Sequence, residues 1–130
     1  MTNKDLILKA MQARENSYSP YSNFKVGAAL LTKNNKIYLG TNVENCAFGP
    51  TNCAERSALF SAISNGEKDF SKIAIIGSNN DFCYPCGVCR QVILELAPRI
   101  EIICAKNENE FEVLNINDLL PKSFSQNDLK

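Results

Sequence analysis

Hydrophobic and polar positions follow two different rhythms along this chain. From Asn3 to Asn16, Leu6, Ile7, Ala10, Met11 and Arg14 recur at helical spacing, which predicts an amphipathic helix capped by Thr2 or Asn3. The polar run Ser17 to Asn23 ends it. Two strands follow, about Phe24 to Thr32 and Lys36 to Gly40, joined by the turn-like Lys33-Asn34-Asn35 as a hairpin. The small residues Gly27, Ala28 and Ala29 let another element pack closely there. After a loop from Thr41 to Asn52, Thr51 or Asn52 caps a second helix that Gly66 ends. Lys72 to Gly77 reads as a strand buried on both faces, and Ser78 to Tyr84 as a loop. Pro85 suits the first position of a helix running to about Leu96. Ile100 to Cys104 and Phe111 to Leu114 are further strands, and a short helix covers Asn117 to Leu120. Strand, helix, strand, helix, strand implies a parallel section with right-handed crossovers, covered by helices. Residues 1–130 read as a single domain without repeats or linker.

Composition narrows the function classes. Apolar residues make up 45% and charged residues 22%, as in a globular soluble protein. Lysine plus arginine and aspartate plus glutamate stand at 14 each, so nothing electrostatic favours a polyanion, and no nucleic-acid partner is expected. No apolar run reaches the roughly 20 residues that span a membrane. The start Met1-Thr2-Asn3-Lys4-Asp5 lacks signal-peptide character, so the expected compartment is the cytoplasm. Histidine is absent, which excludes Ser-His-Asp and Cys-His catalysis. The six cysteines, at 46, 53, 83, 86, 89 and 104, are expected to stay reduced.

Candidate chemistry concentrates in Asn52-Cys53-Ala54-Glu55-Arg56 and Tyr84-Pro85-Cys86-Gly87-Val88-Cys89-Arg90. Both fall at helix N-termini, where free N–H groups and the helix dipole favour thiolate over thiol. Cys86 and Cys89 share one helix face, so two helix starts side by side can present three sulfurs to one ion. A catalytic zinc takes three protein ligands and keeps one position open for water, and a nearby carboxylate moves the protons. Competing readings are plain. Cys104 suits a small buried hydrophobe. Cys83 would complete a closed, structural four-cysteine site, for which Glu55 has no use. Glu55 and Glu44 could be surface charges, Phe24 and Phe124 core residues, Asn42 a turn residue and Arg56 a solvated helix residue.

The two motifs resemble those of the zinc-dependent deaminases of nucleosides and nucleobases, whose signature includes a three-cysteine variant and a non-ligand glutamate. Phe24-Lys25-Val26-Gly27-Ala28-Ala29-Leu30, Asn42-Val43-Glu44-Asn45 and Leu119-Leu120-Pro121-Lys122-Ser123-Phe124 are similar to the small cytidine deaminases, in order and spacing. The resemblance implies a three-layer α/β/α fold with a five-stranded mixed sheet. It implies Zn2+ on Cys53, Cys86 and Cys89, with Glu55 as proton shuttle. It implies a nucleoside substrate, cytidine or deoxycytidine, with Asn42 and Glu44 on the sugar hydroxyl, Phe24 against the ring and the Ala54 backbone on the pyrimidine edge. Where many relatives carry a tyrosine, this chain has Phe48, so a phenol hydrogen bond at that end of the sugar is lost. A homotetramer is implied, in which Phe124 reaches a neighbouring subunit's site. Arg56 would donate to a zinc-ligating sulfur and offset the charge of three thiolates and Glu55. A deaminase of an antibiotic nucleoside or nucleobase, and a non-enzymatic zinc module for nucleic acid, are the alternatives. Asn42 and Glu44 oppose the first, zero net charge and Glu55 the second.

Overall fold

The computed structural model describes residues 1–129. A five-stranded mixed sheet has the order β2-β1-β3-β4-β5, with β1 Gly27–Thr32, β2 Ile37–Thr41, β3 Phe70–Ile76, β4 Glu101–Ala105 and β5 Phe111–Leu114. Helix α1, Asn3–Arg14, covers one face through Leu6, Ile7 and Ala10, which pack on Ala29, Leu31, Ala74, Ile76 and Ile103. Helices α2 (Ala54–Ser64), α3 (Gly87–Leu96) and α4 (Ile116–Leu119) cover the other. There Ala58, Leu59, Ile93 and Ile116 meet Leu30, Ile73, Ile75 and Ile102. The result is the expected α/β/α sandwich. Alternation along each strand sends neighbouring residues to opposite faces, so β3, buried from Ile73 to Ile76, serves both cores.

The parallel section differs from its expected form. β3 and β4 pair in parallel, with Ile75 opposite Cys104. β1 lies between β2 and β3 and runs antiparallel to both. Thus β2 and β3 share a direction without pairing, and the α2 crossover passes over β1. Two glycines make this close packing possible. A Cβ on Gly27 would come within 1.9 Å of the Ala10 carbonyl oxygen, and one on Gly40 within 2.2 Å of the Ala54 carbonyl oxygen. Helix α1 can therefore lie directly on β1, and the start of α2 directly on β2.

Several boundaries move for local reasons. β1 begins at Gly27 instead of Phe24, because the Asn42 side chain takes the Phe24 carbonyl and the Val26 N–H out of the ladder. Helix α1 is capped by Thr2 in a reciprocal box with Asp5. Gly66, at φ +87°, ends α2, as its place after the last apolar position predicts. Pro85 precedes α3 instead of opening it: Cys86 is the N-cap. Cys53 is likewise the N-cap of α2 and not part of its first turn. A short 3-10 turn at Gln126–Leu129 has no counterpart among the expected elements. Among the described residues, no helix is long and apolar enough to cross a membrane.

Candidate metal centre and cleft

The two N-cap cysteines explain how the sulfurs converge. Each has extended backbone, φ −82° and ψ 159° at Cys53, φ −67° and ψ 168° at Cys86. Neither sulfur caps its own helix, so both remain available in front of the free N–H groups of α2 and α3. Cys89, in the first turn of α3, is fully buried and supplies the third. The three sulfurs lie within 4.8 Å of one another. The Cys53 and Cys86 sulfurs are 3.6 Å apart. Tetrahedral zinc with Zn–S bonds of about 2.3 Å needs sulfurs about 3.8 Å apart, so the cluster fits that ion. Cys83 is outside this cluster, which removes the four-cysteine alternative. Its sulfur packs in the core beside Phe24 and Gly77. All six cysteines are free, and Cys104 is buried in β4 as a small hydrophobe.

Electrostatics around the sulfurs are strongly organised. Hydrogen bonding from Cys89, then Arg56 and Cys86, pulls the Cys53 thiol down to about 5 against partial burial. The shared bond with Cys53, together with burial, pushes Cys89 up. A divalent cation replaces such shared protons and is favoured by the same geometry. Arg56 Nη2 donates to the Cys53 sulfur at 3.3 Å. Burial works against the Arg56 charge, but its bonds to Cys53 and Cys89 outweigh that and raise its pKa further. Glu55 is only 4% exposed. Burial pushes its carboxyl up to about 7, with the Cys53 charge adding to the effect. A cation on the sulfurs opposes that rise.

Of these groups Cys53, Glu55 and Cys86 reach a cleft of about 280 Å³, lined also by Phe24, Asn42, Glu44 and Ala54. Residues from four separate stretches of the sequence therefore share one wall. Ser22, Val26, Thr51, Asn52, Cys83 and Tyr84 complete the lining and were not foreseen. No periodicity marks them; the polar run at 17–23 and the tyrosine beside Pro85 were the available clues. Phe48 lies in an adjoining cavity that shares Ser22, Glu44 and Thr51 with the cleft. Its φ of 62° is rare for a bulky residue, and its ring meets Tyr21 edge-on at 6.2 Å. Phe124 is exposed and lines neither cavity; its carbonyl accepts from Gln91.

Asn42 and Glu44 are mostly occupied by the fold itself. Asn42 donates to the Phe24 carbonyl at 2.7 Å and accepts from the Val26 N–H at 2.9 Å and from Ser17. Glu44 Oε1 accepts from the Tyr21 and Ser22 N–H groups at 2.9 and 3.1 Å, and Oε2 from the Ser22 hydroxyl. One Asn42 N–H and one Glu44 lone pair remain. The Tyr84 phenol donates to Glu112 on β5, which raises its pKa to about 12.

Residues 1–105 match the family described as the cytidine and deoxycytidylate deaminase zinc-binding region. The chain belongs to the cytidine deaminase family. The cytidine deaminase of Halalkalibacterium halodurans is 42% identical over 130 residues, 99% of this chain and 98% of that one. The probable cytidine deaminase of Dictyostelium discoideum is also 42% identical, across 98% and 89%. The crystal structure of the Burkholderia pseudomallei cytidine deaminase superposes with a TM-score of 0.90 at 48% identity, covering 95% of this chain and all of that one. This protein is accordingly a deaminase, a hydrolytic enzyme of that family.

Proposed function

We propose that this enzyme hydrolytically deaminates cytidine and deoxycytidine to uridine and deoxyuridine, as a zinc enzyme of pyrimidine salvage. The observation that carries the reading is the residual hydrogen-bonding capacity of the cleft. Asn42 has one donor left and Glu44 one acceptor site, which together match a single sugar hydroxyl. A site built for a hydroxyl rejects analogues lacking it, so a nucleoside fits better than a bare base. Among the described residues, the cleft and its neighbour are lined by Glu44 and Glu55 but by no lysine or arginine. A 5′-phosphate would find no counter-charge there, which favours the nucleoside over its nucleotide.

Cys53, Cys86 and Cys89 would hold the zinc. Once bound, the metal supplies Lewis acidity that ionises water near neutral pH. Glu55 takes a proton from the water that attacks the amino-bearing carbon and passes it to the adjacent ring nitrogen. It then moves the second proton to the departing amine, which leaves as ammonia as the carbonyl forms. Its burial beside Cys89 keeps bulk water from competing for these protons. Phe24 packs against the ring and the Ala54 backbone binds the pyrimidine edge. Arg56 offsets the negative charge of the sulfurs, supported by its 3.3 Å contact to Cys53. Phe48 offers an apolar surface near the far end of the sugar.

We read residues 1–130 as this one domain, assembled as a homotetramer in the cytoplasm. Six free thiols suit a reducing compartment. The exposed Phe124 ring suits a role in a neighbouring subunit's site. The test is ultraviolet absorbance with cytidine, cytosine, cytidine 5′-phosphate and a polynucleotide in parallel. Rapid change with cytidine alone supports the reading; equal turnover of cytosine or the nucleotide refutes it.

A further inference from the structure

The three sulfurs are not held equally well. Cys89 is buried within a helix, and Cys53 is bonded by Arg56. Cys86 is exposed and terminates the long loop after β3. Among the described residues, 78–85 make no backbone–backbone hydrogen bond. The loop is held to the rest of the protein by side chains instead. The Lys25 N–H donates to the Ser78 hydroxyl at its start. Arg90 Nε donates to the Pro85 carbonyl at 2.7 Å, and Arg90 also donates to the Leu119 carbonyl. The Tyr84 phenol donates to the Glu112 carboxylate. Glu112 belongs to the outermost strand, β5, opposite Cys104 of β4. It is remote in sequence from both motifs.

We propose that Tyr84 and Glu112 are positioning residues for Cys86, their hydrogen bond strapping its loop to the sheet so that this sulfur stays in ligand geometry. This rests on the reading that Cys53, Cys86 and Cys89 hold zinc. A phenol donating to a carboxylate is a charge-assisted bond, stronger than a neutral one. It acts two residues before the ligand, where the backbone has no ladder of its own. Breaking it leaves the fold's cores untouched, because both side chains are exposed. It frees the loop to move and with it the most exposed of the three sulfurs. Zinc should then leave faster.

The test is the rate of zinc transfer from the loaded protein to a chromophoric chelator. Tyr84→Phe keeps the ring and removes the hydroxyl; Glu112→Ala removes the acceptor. Partners bonded directly to metal ligands typically change metal affinity 10–100-fold; Tyr84 and Glu112 act through the backbone two residues before Cys86, so each variant is expected at the low end, with zinc released about tenfold faster. The double variant is expected to be no faster than either single, since both remove the same bond. Glu112→Gln, which keeps an oxygen acceptor, is expected to stay nearer the native rate. Lys36→Ala, which removes an exposed 3.7 Å pair with Glu67, is the control and should not change release. Native release rates in both singles, or effects that multiply in the double, overturn the proposal. Unsubstituted protein that binds no zinc overturns the ligand assignment itself, and the strap with it.

Discussion

The two loops that deliver sulfurs to the site are built on opposite principles. The Cys53 loop is stitched by its backbone: Val43 and Asn52 exchange both hydrogen bonds at 2.9 Å, and Glu44 N–H donates to the Tyr18 carbonyl at 2.8 Å. The Cys86 loop has no such ladder; hydrogen bonds involving the Ser78, Arg90 and Tyr84 side chains hold it, along with the packing of Cys83. The first loop carries Asn42 and Glu44 and leads into the sulfur of Cys53 and then Ala54 and Glu55; all but Cys53 are assigned to substrate and proton. The second carries one sulfur. Groups that must meet a substrate to within fractions of an ångström sit, together with the Cys53 ligand, on a locked backbone, whereas the Cys86 ligand sits on a loop that side chains hold in place.

The contrast can be broken most strongly where α2 rests on β2. Gly40→Ala would drive a Cβ into the Ala54 carbonyl and within 2.5 Å of the Ala58 nitrogen, both backbone atoms. A loss of about 3 kcal/mol in denaturant unfolding is expected, at the upper end of overpacking costs. Asn42→Ala comes next. It leaves the Phe24 carbonyl and the buried Val26 N–H unpaired, and about 2 kcal/mol should be lost. Gly87→Ala, at the head of α3 on the looser side, meets nothing within 4 Å. It is expected to stabilise by about 0.5 kcal/mol through the unfolded chain, with zinc content unchanged.

The smallest effect concerns pH. The Ser22 hydroxyl, with the Ser22 and Tyr21 N–H groups, holds the Glu44 carboxyl below the ordinary glutamate range. A folded pKa below the unfolded one gives stability that is present above the unfolded value. It is lost as pH falls through the folded value. Acid titration followed by NMR should therefore show Glu44 protonating later than exposed glutamates. Glu44→Gln should flatten the acid limb of the stability profile. An ordinary pKa at Glu44 would show that the Tyr21–Ser22 tether is not formed in solution.

Much of the site was legible because its chemistry is local. Cys53 and Glu55 sit two residues apart at a helix start, as do Cys86 and Cys89 three apart, and these spacings carry their meaning without a fold. The strands and helices were legible from periodicity, and Gly66 from its place after the last apolar position. What could not be read depends on distant pairing. β1 slips between β2 and β3 because of its ladders to both, which no local pattern states. Asn42 looked like a free ligand group, yet most of its amide is used by Phe24, Val26 and Ser17. Tyr84 gained its place only through Glu112, 28 residues on. Positional preference alone places Pro85 at the first helical position, but the extended N-cap at Cys86 puts it two positions earlier.

The most direct test of the proposed chemistry is Glu55→Gln, assayed for cytidine turnover and zinc content on the same sample. Glu55 contributes no ligand atom to the three-sulfur cluster and is assigned the movement of every proton. The expected result is one zinc per chain with turnover reduced about 10³-fold, within the range for losing a general acid–base. Near-native turnover, or loss of the metal along with the activity, would contradict the assignment of Glu55 as proton shuttle.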